Sequence, residues 1–184
     1  GNAIDAAVAT ALALTVVEPW GSGIGGGGFA VVHLAKEERT VVLDYGMKSP
    51  QGLDPAWFEM QQGGSADDDL FGWPGVIEDR NVEGYRSMCV PGAVAGLGKA
   101  LEAFGTKSWQ EVIAPALELA ETGVPLDWWT MVRIASEAAR LRKYPMSREI
   151  FLPDGLPPVP ADGTVGHLDA GPLKATLKRL AEAG

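Results

Sequence analysis

The chain has 184 residues, among them 24 glycines, 13 prolines and one cysteine, and its formal net charge is −9. An apolar fraction of 46% with 21% charged residues is typical of a folded globular chain and argues against a disordered or fibrous one. One cysteine excludes an internal disulfide. Nucleic acids and anionic membranes attract clustered Lys and Arg, so the acidic balance argues against both as partners and leaves small molecules and other proteins.

The first predicted element is a helix over residues 3–17. Asn2 is a good N-cap, Asp5 in the first turn complements the helix dipole, and Glu18-Pro19 ends the pattern. Its apolar stretch is shorter than the ~20 residues that cross a bilayer, and no basic leader precedes it. Because almost no polar residue interrupts it, we expect this helix to be covered nearly all round.

Two short Val-rich runs, 29–34 and 40–45, flank the polar turn that begins at Lys36. Their spacing predicts a β-hairpin. Apolar residues occupy both parities in each run, which predicts central strands covered on both faces, with helices above and below.

The segment from Lys48 to Val90 is predicted to be an irregular loop with short helical turns and an exposed tip at Gly63–Asp69. Its acidic run, Asp67–Asp69, is interpreted as a solvated charge run rather than a metal site, because the ligand spacing of a calcium loop does not follow.

The remainder is predicted to be helical. Pro91 is expected as the first residue of a helix that stops at Gly105, and Ser108 and Asp127 are expected to cap the next two helices. Residues 145–160 are expected to be open and Pro-rich, and Gly171-Pro172 to begin the last helix.

Six glycines crowd the region after Trp20, and three of them, Gly23, Gly25 and Gly28, have the spacing of a dinucleotide fingerprint. That fingerprint requires a strand before the glycines and a helix after them, so that free N–H groups point at a pyrophosphate. Here a helix precedes and a strand follows, which argues against a nucleotide site.

No complete catalytic set is evident from the side chains alone. Ser22 lacks the flanking glycines of a nucleophile elbow. His33, His167 and Cys89 have no metal-ligand spacing, and His33 is expected to be buried on its strand and simply hydrogen-bonded.

Five ordered motifs nevertheless resemble one family. They are Gly1-Asn2-Ala3-Ile4-Asp5-Ala6-Ala7-Val8-Ala9, Glu18-Pro19, Ser22-Gly23-Ile24-Gly25-Gly26-Gly27-Gly28-Phe29, Asp44-Tyr45 with Ser49-Pro50, and Val90-Pro91-Gly92-Ala93-Val94-Ala95-Gly96-Leu97. In order and spacing they resemble the large-subunit half of the γ-glutamyltranspeptidases, over essentially the whole chain.

The resemblance implies an α+β fold, the four-layer αββα sandwich of N-terminal nucleophile hydrolases, incomplete in this chain, which would supply two central strands plus helices. It also implies a proenzyme that cleaves itself to expose a Thr, whose α-amine acts as base; this nucleophile lies downstream. No catalytic residue, cofactor or metal is expected in the chain. The expected partners are a γ-glutamyl or related amide substrate and the small subunit of the same precursor, with no nucleic acid or membrane.

One substrate contact of the family would fall inside this chain. The transpeptidases place an Arg two residues after the Asp of the second strand, where it pairs with the substrate α-carboxylate, and the matching position here is Gly46. Lys48 would share its face if the strand continued. Two hypotheses stay open: Lys48 partly replaces the missing cation, or the substrate has no α-carboxylate there. An ordinary surface Lys48 is the third interpretation.

Gly46 favours a broader amide hydrolase or acylase of this family over a glutathione-specific transpeptidase. A non-catalytic helical interaction module is the alternative from another class. We interpret the chain as a fragment belonging to one large-subunit domain, with 1–50 forming the helix, glycine turn and hairpin, 51–90 the irregular region and 91–184 the helical region. The family suggests a periplasmic or secreted location, and a cytoplasmic one stays open.

Overall fold

A computed structural model describes residues 1–65, 71–160 and 164–183. The chain divides into two compact units. We call residues 1–24 and 94–184 the helical unit and residues 25–93 the hairpin unit. The single-domain expectation stays a prediction.

The first helix, α1 (Ala3–Val17), has the predicted bounds. The Asn2 side chain accepts hydrogen bonds from the Ile4 and Asp5 N–H groups, while Asp5 reaches back to the Asn2 N–H at 2.5 Å. These reciprocal bonds form a capping box, which satisfies N–H groups that the first turn leaves without helical partners. A four-residue helix, α2 (Pro19–Ser22), follows directly.

Asp5 also ties the start of α1 to a distant loop of the helical unit. Its Oδ1 accepts hydrogen bonds from the Thr106 N–H at 2.7 Å and the Lys107 N–H at 3.0 Å, and its Oδ2 accepts one from Thr106 Oγ1 at 2.7 Å. Burial of the carboxyl opposes ionisation, but the hydrogen bonds from Thr106, Asn2 and Lys107 outweigh it and hold the pKa of Asp5 well below its usual value. A buried carboxylate with this many donors is a fixed point of the unit.

The expectation that α1 is covered nearly all round is wrong for this chain. Its buried residues form one stripe, and Ala6, Ala7 and Thr10 are exposed. Since these exposed side chains are small, leaving them in water forgoes little hydrophobic stabilisation.

Three more helices lie wholly or mainly in the helical unit. They are α3 (Ala93–Phe104), α4 (Trp109–Thr122) and α7 (Leu173–Ala183). α4 contacts both α1 and α7, and Ser108 caps it as predicted. The Trp109 Nε1–H donates to the Leu180 carbonyl at 2.9 Å, which joins α4 to α7. α3 begins two residues later than predicted, so Pro91 is not its first residue.

A second core lies among α5 (Trp128–Leu141), α6 (Pro145–Phe151) and the short antiparallel pair β5 (Val124–Leu126) and β6 (Gly166–Leu168). Asp127 caps α5 as predicted. The open stretch expected at 145–160 is partly wrong, because Pro145 begins a helix there, at a position where proline is well tolerated. The core residues are Val124, Leu126, Ile134, Ala138, Leu152 and Leu168.

The hairpin unit contains the predicted pair of strands, β1 (Gly28–Leu34) and β2 (Arg39–Tyr45), in antiparallel register with Val31 opposite Val42. The expected coverage on both faces is wrong in this chain. Phe29, Val31 and Val42 are 70%, 71% and 62% exposed, whereas Val32, which points to the other face, is buried. The alternation of the strand explains how one face is covered while the other stays open.

The predicted irregular segment has the expected short helical turns at 55–57, 77–79 and 85–87. It also contains an antiparallel pair that was not predicted, β3 (Met60–Ser65) and β4 (Pro74–Val76), with an irregular register. The charge run at Asp67–Asp69 lies outside the described residues. Among the helices that the structure does describe, none combines the length and apolar character needed to cross a bilayer.

Candidate functional site

Of the six clustered glycines, Gly21 lies in α2, Gly28 begins β1 and the other four lie between these elements, so a helix precedes the cluster and a strand follows it, as predicted. This order rules out the phosphate-cradle geometry of a dinucleotide fold, in which the glycines open a helix. The function of the cluster must therefore come from what its backbone contacts.

The glycine turn is joined to the start of α3 through one carbonyl group. The Gly92 N–H and the Ala93 N–H both donate to the Gly26 carbonyl oxygen, each at 3.0 Å. Gly26 thus provides an acceptor for N–H groups that a helix start leaves unpaired. Two residues before Gly92, Val90 forms an isolated antiparallel bridge with Lys48. The Lys48 N–H donates to the Val90 carbonyl at 3.2 Å, and the Val90 N–H donates to the Lys48 carbonyl at 2.8 Å.

Two glycines at this point have no room for a side chain. A Cβ on Gly27 would lie 2.6 Å from the Tyr45 carbonyl oxygen and 2.7 Å from the Met47 nitrogen, and one on Gly92 would overlap the same Tyr45 carbonyl. Both obstacles are backbone atoms, which cannot rotate away. We call residues 26–28, 45–48 and 90–93 the glycine junction, where three segments meet backbone to backbone.

Gly46 lies in the glycine junction but is not required by packing. A Cβ there would be 3.3 Å from Asp44 Oδ1 and 3.7 Å from Phe29 Cζ, both side-chain atoms, and its backbone does not adopt the left-handed conformation. The Gly46 N–H donates to Asp44 Oδ1 at 3.0 Å. A Cβ at position 46 therefore requires only a small shift of the Asp44 side chain, so no backbone atom forces a glycine there.

Lys48 is exposed, and strand alternation does not position it. β2 ends at Tyr45, so the condition for placing Lys48 on the face of Gly46, a continuing strand, is not met. What fixes its backbone instead is the bridge to Val90. Asp44 is also exposed, and the described part of the chain offers it no cation within ion-pairing distance.

The other candidates from the sequence are not brought together. His33 is exposed, which corrects its expected burial, and its Nδ1 lies 3.1 Å from Thr40 Oγ1, which confirms the expected hydrogen bond. Cys89 is a free, exposed thiol. Over residues 1–65, 71–160 and 164–183 no three His, Cys, Asp or Glu side chains are grouped so that they could hold a metal ion.

The pairing of Gly26 with Gly92 and Ala93 was not foreseen. Both partners belong to motifs that resemble the family, but a sequence motif does not show which segments are in contact. The available signal was Gly92, because a glycine directly before a helix allows another backbone segment to approach closely.

The γ-glutamyltranspeptidase family model matches residues 1–184. A glutathione hydrolase proenzyme from Bacillus subtilis (strain 168) is 38% identical over 157 residues, covering 85% of this chain and 25% of the relative. An acylase ACY 1 proenzyme from Pseudomonas sp. (strain V22) is 37% identical over 185 residues, covering 100% of this chain and 31% of the relative.

Solved structures agree. The γ-glutamyltranspeptidase of Helicobacter pylori is 34% identical and superposes with a TM-score of 0.83 over 100% of this chain and 48% of its own. The cephalosporin acylase of Bacillus halodurans is 26% identical, with a TM-score of 0.76 over 99% of this chain and 32% of its own. This chain thus spans about a quarter to a half of the proteins it matches.

The predicted fold class is confirmed, since helices and small antiparallel sheets are combined in a chain whose neighbours have the N-terminal nucleophile hydrolase fold. The resemblance of the five motifs is confirmed with it. The match over all residues shows that this chain belongs to the γ-glutamyltranspeptidase family.

Proposed function

We propose that this chain is the large-subunit segment of a γ-glutamyltranspeptidase-like enzyme that cleaves a γ-glutamyl or related amide bond and transfers the acyl group to water or an amine. The observation that carries this is the family match over residues 1–184. The chain does not hold the nucleophile, so activity requires a small subunit from the same precursor, and this segment is inactive by itself.

In the proposed reaction the hydroxyl of an N-terminal Thr, supplied by the small subunit, attacks the amide carbonyl carbon. The α-amine of that Thr takes the hydroxyl proton and then gives it to the leaving amine as the C–N bond breaks. Water or an acceptor amine next attacks the acyl ester and releases the Thr. The segment described here contributes scaffold and, at the end of β2, substrate contacts.

For the substrate, we propose that Gly46 and Lys48 border the group next to the scissile amide. A Cβ at position 46 would meet only the side chains of Asp44 and Phe29, yet glycine occupies the position where the family has an arginine. Either the exposed Lys48 ammonium partly replaces that cation, or the acyl group has no α-carboxylate at this point. An acylase is the second candidate, favoured because the acylase ACY 1 relative matches this chain over its whole length.

The test compares turnover of a γ-glutamyl anilide with that of a simple acyl anilide by the full-length protein. If Lys48 binds the α-carboxylate, Lys48→Ala lowers kcat/KM for the γ-glutamyl anilide by about tenfold or more, because an ion-paired hydrogen bond is lost. The simple anilide should be unaffected. Lys36→Ala, which removes another exposed cation from the hairpin unit, is the matched control.

Gly46→Arg completes the design. It should raise kcat/KM for the γ-glutamyl anilide by about tenfold or more, because a guanidinium binds a carboxylate bidentately. Strong γ-glutamyl preference that survives Lys48→Ala would contradict both hypotheses for the substrate contact. Failure to cleave any amide, in a preparation that has released its small subunit, would contradict the proposed enzyme itself.

A further inference from the structure

The open face of the β1–β2 hairpin carries a carboxylate beside an aromatic ring. Phe29 lies opposite Asp44 in the antiparallel register, and both side chains are exposed. The Cβ atoms of directly opposed residues on one face stand about 5 Å apart, so the two side chains are neighbours. The next exposed pair on this face is Val31 and Val42. The carboxylate and the ring therefore lie at the end of an apolar strip, next to Gly46.

The Asp44 carboxylate is oriented but not neutralised. The Gly46 N–H donates to Oδ1 at 3.0 Å, which holds the carboxylate against the backbone of Gly46. A carboxylate can accept several hydrogen bonds, so this single donor leaves most of its capacity unused. Among the residues that the structure describes, no cationic nitrogen, that of Lys48 included, lies within 4.0 Å of Asp44.

The missing side chain of Gly46 leaves a space that both groups border. A Cβ at this position would lie 3.3 Å from Asp44 Oδ1 and 3.7 Å from Phe29 Cζ. Any atom placed there by a bound molecule would therefore contact the carboxylate and the ring at the same time.

This pair of neighbours favours a positive charge. A carboxylate accepts short, charge-assisted hydrogen bonds from an ammonium, and an aromatic ring attracts a cation placed over its face. A second carboxylate in the same space would be repelled by Asp44, and a neutral methyl group would gain only apolar contact with Phe29.

We propose that the acyl group of the substrate has an ammonium without a carboxylate at the carbon where a γ-glutamyl group has both, and that Asp44 and Phe29 bind this ammonium beside Gly46. The inference rests on the proposed function and selects the second of its two substrate cases. Asp44 and Phe29 are thus assigned as residues that determine substrate specificity.

The test uses the full-length protein and four anilides that differ only at this carbon. The γ-glutamyl anilide has ammonium and carboxylate, the 4-aminobutyryl anilide has only the ammonium, the glutaryl anilide has only the carboxylate, and the butyryl anilide has neither. We expect kcat/KM for the 4-aminobutyryl anilide to exceed that for the butyryl anilide by about tenfold, because one charge-assisted hydrogen bond is added. The γ-glutamyl and glutaryl anilides should both fall below the 4-aminobutyryl anilide.

Variants assign the preference to these two side chains. Asp44→Asn keeps an acceptor for the Gly46 N–H but removes the charge, so the ratio of the 4-aminobutyryl to the butyryl kcat/KM should fall to about one. Phe29→Leu should lower the same ratio by about threefold, because an apolar side chain stays but the ring is lost. Asp54→Asn is the matched control, since Asp54 is also exposed and accepts the Ala56 N–H at 2.9 Å, and it should leave the ratio unchanged.

Calorimetric titration with 4-aminobutyramide and butyramide measures binding without turnover and separates the two proposals. Equal kcat/KM for the 4-aminobutyryl and butyryl anilides, faster cleavage of the glutaryl anilide, or a ratio that survives Asp44→Asn would overturn the inference and leave the proposed enzyme in place. If no anilide is cleaved but 4-aminobutyramide binds about tenfold more tightly than butyramide through Asp44, the ammonium site is supported and the proposed enzyme is contradicted. Absence of both cleavage and amide binding would overturn both.

Discussion

The interior of each unit is stabilised by a different kind of contact. In the helical unit Leu12, Ile113, Leu152 and Leu177 are fully buried, and side chains fill the interior. In the hairpin unit only Val32 and Val76 are buried hydrophobics among the described residues, and three segments meet through backbone atoms in the glycine junction. The helical unit therefore requires large buried side chains, whereas the hairpin unit requires glycines that leave no side chain between its backbone segments.

The largest expected effect comes from removing volume in the helical unit. Leu177 is fully buried in α7. Leu177→Ala should lower the free energy of unfolding by about 2–5 kcal/mol, because the substitution removes buried apolar surface and leaves a cavity. Leu156→Ala, at a leucine that is 65% exposed, is the matched control and should cost less than about 0.5 kcal/mol. Urea unfolding of the full-length protein measures both. An equal loss of stability in the two variants would contradict the role given to buried side chains in the helical unit.

A smaller loss is expected from adding volume in the hairpin unit. Gly92→Ala should destabilise by about 1–3 kcal/mol, because its methyl group overlaps the Tyr45 carbonyl and the backbone must shift. The same substitution at Gly98, inside α3 with nothing within 4 Å, should stabilise by about 0.5–1 kcal/mol through helix propensity. Urea unfolding should therefore give changes of opposite sign in the free energy of unfolding for the two variants. An unchanged stability of Gly92→Ala would contradict the requirement for glycine in the glycine junction.

The smallest effect concerns Asp5 and depends on pH. Its pKa is lowered in the folded state, so its contribution to stability is present above the ordinary value of 3.8 and is lost as the pH falls below it. Asp5→Asn should lower the Tm at pH 7 by roughly 3–8 °C and flatten the fall in Tm between pH 5 and pH 3.

Asp127→Asn is the control for this prediction. Asp127 also caps a helix and also has a lowered pKa, mainly through the Thr130 N–H, but among the described residues its hydrogen-bond partners all lie in its own helix. It should shift the Tm less than Asp5→Asn does. A Tm profile unchanged by Asp5→Asn from pH 3 to pH 7 would contradict the role given to this carboxylate.

Local signals predicted α1 and the hairpin well, because the Asn2 cap, the Pro19 stop and the two Val-rich runs are each encoded within a few residues. The pair β5 and β6 was missed since each strand has three residues and their pairing joins distant segments. α6 was missed because Pro145 was interpreted as part of an open stretch, although proline is favoured in a first helical turn.

At the site, Gly46 was identified through the resemblance to the family and not from the periodicity or composition of the sequence. Periodicity and composition do not distinguish a glycine that packing demands, such as Gly27, from one that has room for a side chain. That difference depends on which backbone atoms lie opposite, and those atoms come from residues far along the chain.

The single carbonyl of Gly26 has a consequence for the order of folding. It receives N–H groups from residues that follow the whole hairpin and the long segment after it, so these bonds form only once that intervening chain has closed into a loop. Contacts of such high sequence separation slow folding, whereas α1 and the hairpin turn form from neighbours. We therefore expect the contacts of the glycine junction to form after the hairpin turn, and its glycines leave room for the backbone segments to approach one another.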